Sequence, residues 1–168
     1  MCPFLFKLSQ RIGLQIKANL ENVTNLRAEG ADFRWYLKFQ CGNCQEISQA
    51  FQYVTLVETA DLKGGRGSAN LVSKCKLCSR ENSVAIIPES LTSYNSEDSN
   101  KLKKIVAFEC RGMTPVEFSP RAGFACDGAN SSSTFEVDLG ENEWVDYDEN
   151  SQESVGIYEF ESQFINLK

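Results

Sequence analysis

The 168-residue chain contains no histidine. This excludes Ser-His-Asp and Cys-His catalysis, Cys2His2 fingers, and haem or copper sites that depend on imidazole. A tightly held metal must then be held by cysteine. Long apolar runs are missing too. No stretch approaches the roughly 20 apolar residues of a helical membrane span. The opening Met1-Cys2-Pro3-Phe4-Leu5-Phe6-Lys7 is too short for the core of a signal peptide, and no small-residue cleavage site follows it. Residues 1–11 read as an N-terminal extension. No sustained 3.6-residue periodicity appears, so little helix is expected. The cysteines number seven, an odd count without a secretory leader. That argues against a disulfide framework and for a reducing compartment, the cytoplasm or the nucleus.

Clustered basic residues are scarce as well. The formal net charge is −6. Residues 1–87 carry 11 Lys/Arg against 7 Asp/Glu, and residues 88–168 carry 6 against 16. The first stretch is thus net +4 and the second net −10. Phosphate contact needs clustered Lys and Arg, so nucleic acid is not an expected partner. The acidic tract 141–149 interleaves Trp144 and Tyr147 with carboxylates, including Asp146 and Asp148. Nothing pairs these acids with a nucleophile, so no acid–base catalysis is read into them. They suit a docking surface for a protein partner, on a chain read as a monomer.

What stands out is four cysteines, in Cys41-Gly42-Asn43-Cys44 and Cys75-Lys76-Leu77-Cys78, with thirty residues between the pairs. Each Cys-x-x-Cys turn can offer two thiolates to one ion, and two turns complete a tetrahedral S4 set. The expected site is a structural zinc ion, one per chain, on Cys41, Cys44, Cys75 and Cys78. A closed S4 site leaves no open position for water, so no enzyme is expected. The spacer is longer than that of an ordinary zinc ribbon. Lys38, Lys74, Lys76 and Arg80 lie close in sequence and are candidates to offset the site's charge. The competing reading is a thiol redox or Cu(I)-transfer protein using the same cysteines. Cys2, Cys110 and Cys126 read as ordinary thiols, with Cys110 buried on a strand.

Alternation of apolar and polar residues predicts strands over 12–20, 33–41, 51–56, 82–87, 103–110, 134–139 and 155–165. Residues 116–118, bracketed by Pro115 and Pro120, suit only an edge strand. Residues 22–32 and 122–133 read as loops. Residues 64–68 lie in a glycine-rich loop without P-loop spacing, read as a hairpin tip, with an anion site as the alternative. The division that follows is a zinc-bearing β half (12–88), a polar linker (89–101) and an acidic β half without a metal site (102–168). Leu37-Lys38-Phe39-Gln40-Cys41 resembles Val106-Ala107-Phe108-Glu109-Cys110, which hints at a repeat whose second copy carries Met113 in place of a cysteine.

Six motifs together resemble the eukaryotic CXXC-motif-containing zinc-binding protein family. They are Asp32-Phe33-Arg34-Trp35-Tyr36, the first cysteine pair, residues 64–70 leading into Lys74-Cys75-Lys76-Leu77-Cys78, Phe108-Glu109-Cys110-Arg111-Gly112, Trp144-Val145-Asp146-Tyr147-Asp148, and Glu153-Ser154-Val155-Gly156-Ile157-Tyr158. The likeness runs from about residue 12 to the C-terminus. It implies a mostly β fold of two related sandwich- or barrel-like halves and little helix. One zinc would sit on the four cysteines, in the first half near the junction. It implies no catalysis, and it suggests a copper-chaperone metal-binding domain as a partner.

Overall fold

The computed structural model describes residues 9–63 and 67–167. They form fourteen strands and two short 3-10 turns, with no α-helix among the described residues. The protein is mostly β. In β1 (Gln10–Glu21), Ile12, Leu14, Ile16 and Ala18 are buried along one face. In β3 (Trp35–Cys41), Trp35, Leu37, Phe39 and Cys41 are buried and the residues between are half-exposed. The period-two pattern of the sequence is thus the pattern of burial.

The remaining strands are β2 (Val23–Ala28), β4 (Gln52–Val54), β5 (Ala60–Asp61), β6 (Ser68–Ala69), β7 (Leu71–Lys74) and β8 (Glu81–Ile86). After them come β9 (Lys103–Arg111), β10 (Met113–Ser119), β11 (Phe124–Gly128), β12 (Thr134–Val137), β13 (Trp144–Asp148) and β14 (Glu153–Leu167). A six-stranded sheet runs in the order β13-β14-β1-β9-β8-β7. Two three-stranded sheets, β10-β3-β4 and β12-β11-β2, lie beside it, and β5 pairs with β6. β1 is central, with Leu14 opposite Val106 on one side and Phe164 on the other.

Strands from 12–88 and from 102–168 therefore interleave in one sheet. Their apolar faces meet in one cluster that holds Leu14, Trp35, Phe108, Phe124 and Ile157 together. The polar stretch 89–101 is tied into that cluster. Tyr94 is fully buried, and its backbone exchanges two 2.8 Å hydrogen bonds with Leu26. Its hydroxyl accepts from Ala18 N–H at 3.2 Å and lies 2.5 and 2.6 Å from the carbonyls of Asp98 and Lys101, one of which takes its proton.

Several expectations need correction. Residues 22–32 contain β2, and 122–133 contain β11. β2 escapes the alternation because Asn25 has φ 54° and puts a bulge between its buried residues Val23 and Leu26. β11 lies between two other strands and buries Phe124, Ala125 and Cys126 in succession, which leaves no alternation to see. The acidic tract contains β13, an edge strand. The ordered strand β1 begins two residues before residue 12. β3 and β9, whose ends look alike in sequence, lie in different sheets. β5 and β6 pair as hairpin arms around the glycine loop, while Gly64, Gly65 and Arg66 lie outside the described residues, as do residues 1–8 with Cys2.

Candidate metal centre

Cys41 is the last residue of β3, and Cys44 lies in the turn that follows. Cys75 and Cys78 lie in the turn joining β7 to β8. The two turns share one shape. Cys41 N–H donates to Glu46 O at 2.8 Å, and Cys75 N–H donates to Arg80 O at 2.8 Å. Inside these, Gln45 N–H reaches Cys41 O at 2.9 Å and Ser79 N–H reaches Cys75 O at 2.8 Å. Gln45 (φ 68°) and Ser79 (φ 63°) both take the left-handed conformation that closes such a turn. Gly42 serves a close approach. Its N–H donates to Gly112 O at 2.7 Å, and a Cβ on Gly42 would lie 3.2 Å from that oxygen.

The four sulfurs lie within 4.8 Å of one another. Cys41 Sγ is 3.7 Å from Cys78 Sγ, and Cys44 Sγ is 3.6 Å from Cys75 Sγ. Four sulfurs each about 2.3 Å from one zinc ion stand about 3.8 Å apart at tetrahedral angles. The two contacts between the turns match that spacing, and the four thiols together suit one such ion. Each ligand pair comes from one turn, but the close S···S contacts run between turns, so neither pair is set up as a disulfide.

The cluster is polarised before any ion arrives. Burial raises the Cys41 thiol, but the backbone N–H groups of Cys44 and Asn43 favour its thiolate and bring it down to about 6. Cys78 is lowered, chiefly by the Asn43 side chain and then by the Arg80 backbone N–H. At Cys44 the largest single influence, the Glu46 backbone N–H, lowers the thiol; burial and the three other cysteines outweigh it and push it up to about 12. Thiols shifted in opposite directions are what is expected when ionisable sulfurs crowd one spot.

Asn82, buried on β8, stands beside Cys41. In one orientation its amide nitrogen is 3.7 Å from Cys41 Sγ. Turned over, it donates to Gly112 O at 3.2 Å and Glu81 O at 3.1 Å, which satisfies both ends of the amide. Lys38 leans over the Phe51 ring and stands 4.0 Å from Glu117. Lys74 and Lys76 line a cavity of about 470 Å³ beside the cluster, together with Phe39, Ile47, Leu77 and Met113. Arg80 contributes through its backbone.

The other thiols stay apart. Cys110 and Cys126 are buried in β9 and β11, outside the four-sulfur cluster, and burial pushes both up to about 12. Asp148, expected on the docking surface, is 1% exposed. Its carboxylate accepts from the Ser131 hydroxyl at 2.5 Å, the Ser133 hydroxyl at 2.7 Å and Asn150 N–H at 3.0 Å. The Ser131 bond above all holds its pKa down at about 2, against the opposing effect of burial. Sequence spacing carried no sign of this, because its two serine partners lie on a different loop, fifteen and seventeen residues away.

A family described as "CXXC motif containing zinc binding protein, eukaryotic" matches residues 13–165. A protein named "CXXC motif containing zinc binding protein" from Bos taurus is 60% identical over 156 residues, 92% of this chain and 98% of that one. The crystal structure of C1orf123 superposes with a TM-score of 0.90 at 56% identity, covering 94% of this chain and 99% of its own. A hypothetical protein from Plasmodium falciparum superposes with a TM-score of 0.84 at 23% identity, covering 93% and 99%, and shares the fold.

Proposed function

The chain belongs to the eukaryotic CXXC-motif zinc-binding protein family, and we propose that it is a binding module whose single zinc ion is held by Cys41, Cys44, Cys75 and Cys78. The observation that carries this is the mutual approach of four sulfurs from two like turns. Zinc supplies a redox-inert centre that keeps all four sulfurs as thiolates. Four protein ligands close its coordination sphere, so the role is structural and not catalytic. The chain's own part is to hold the two turns together through Gly42, Gly112 and β8. Such sites are worth on the order of 10–16 kcal/mol, comparable with a whole domain's net stability. The test is elemental analysis of protein purified without added metal, with alkylation before and after chelation. One zinc per chain and four thiols released by chelator is the expected result. Copper, iron, or an empty site carrying a disulfide would replace this reading with Cu(I) transfer or thiol redox.

We also infer that the chain is two related halves. Let β1, β2, β3, β4, β7 and β8 correspond to β9, β10, β11, β12, β13 and β14. The six-stranded order then maps onto itself reversed, and β10-β3-β4 maps onto β2-β11-β12. The single-residue breaks correspond too: Asn22 between β1 and β2 has φ 57°, and Gly112 between β9 and β10 has φ 82°. This places β3 with β11, and not with β9 as the sequence match had it.

The partner is proposed to be a protein with a basic face, met at β13. There Val145 and Tyr147 are 63% and 51% exposed on a sheet edge beside the exposed Asp146. A copper-chaperone metal-binding domain is the first candidate, and a reducing compartment is where we place the encounter. Asp146→Lys with Tyr147→Ala should weaken binding of that domain at least tenfold in calorimetry. Unchanged affinity would remove β13 from the interface.

A further inference from the structure

Resting on the two-halves reading above, we infer that the second half keeps the metal cage in a metal-free form, with Gly128, Ser131, Asp148 and Ser151 in the four ligand positions. The correspondence is residue by residue. Gly128-Ala129-Asn130-Ser131 follows β11 as Cys41-Gly42-Asn43-Cys44 follows β3. Gly128 N–H donates to Ser133 O at 2.8 Å, as Cys41 N–H does to Glu46 O. Ala129 N–H donates to the carbonyl of the break residue Asn22 at 2.9 Å, as Gly42 N–H does to Gly112 O. In the other turn, Asp148 pairs with Glu153 across β13 and β14, as Cys75 bonds to Arg80. Gln152 has φ 56° where Ser79 has φ 63°. Asp148 and Ser151 thereby stand where Cys75 and Cys78 stand.

The side chains converge as the sulfurs do. Ser131 Oγ lies 2.5 Å from Asp148 Oδ2, the counterpart of the contact between Cys44 and Cys75. A Cβ on Gly128 would lie 2.6 Å from Ser131 Oγ and 2.7 Å from Asp148 Oδ2, so a side chain there would enter the same space. The Ser151 hydroxyl is buried and makes no hydrogen bond of normal geometry. One carboxylate with its ring of hydroxyl and N–H donors does in this half what an ion and four thiolates do in the other: it joins two turns through a charge. The site takes no cation, because donors already surround the carboxylate.

The test installs the ligands. A variant carrying Gly128→Cys, Ser131→Cys, Asp148→Cys and Ser151→Cys is refolded with excess zinc, and metal per chain is counted by native mass spectrometry. Wild type is measured beside it. A second variant keeps Asp148 as the fourth ligand and changes only the other three positions, since zinc accepts a carboxylate oxygen. Two zinc ions per chain in either variant, against one in wild type, is the expected result. One zinc in folded variants overturns the inference, as does failure of both to fold at saturating zinc, since an intact cage would be held by its metal. Wild type without zinc would instead overturn the proposed function, so the two failures are told apart.

Discussion

Single side chains carry the chemistry that can be checked first. Cys110 and Cys126 are buried and their thiols pushed up to about 12, so almost no thiolate forms at pH 8. In native protein both should resist iodoacetamide, and mass spectrometry should find them labelled only after denaturation. Labelling of either in the native state would mean that β9 or β11 opens. Asp148 gives a pH prediction. Its folded value, about 2, lies below the ordinary 3.8. A depressed carboxylate stabilises the fold above its unfolded pKa, and that contribution is lost as pH falls through the folded one. The difference in melting temperature between wild type and Asp148→Asn should therefore be full at neutral pH and shrink from about pH 4 toward pH 2. A constant difference would mean that the charge is not what matters. The four clustered cysteines were legible as residues, because spacing within a turn is local. Asp148 was not, because the serines that donate to its carboxylate lie on another loop.

Strands with one buried face, such as β1 and β3, announced themselves by alternation. β2 was hidden by its bulge, and β11 by burial on both faces. The joints between strands are as decisive as the strands. Gly112 sits at φ 82°, and a Cβ there would meet the Asn82 amide, while its carbonyl receives Gly42 N–H beside the ligands. Gly112→Ala should cost about 1–3 kcal/mol in urea unfolding, from left-handed strain and the displaced amide. It should also speed zinc loss to a chromogenic chelator. Unchanged zinc release would show that the first cysteine turn does not depend on this joint. Tyr94 anchors the stretch that sequence offered as a linker. Tyr94→Phe removes the hydroxyl that serves Ala18 and two carbonyls, and should cost about 1–3 kcal/mol by the same measurement.

At the scale of the molecule the question is whether the zinc holds one half or the whole. Strands from 12–88 and from 102–168 interleave in the six-stranded sheet, and β1 and β9 are paired through its middle. Removing zinc should therefore lower the melting temperature of the entire chain in one calorimetric transition. Two separate transitions, with residues around Asp148 surviving the first, would show that the halves unfold independently. The sequence by itself determined the donor set, the lack of any imidazole alternative, and the strands that alternate. Each of these depends on residues within a few positions of one another. Only the tertiary structure decided that Cys41 meets Cys78, that β3 and β9 lie in different sheets, and that an acid in the most charged tract is buried. Those facts depend on which distant strands pair, and a strand's own pattern of apolar residues fixes its face but not its neighbour.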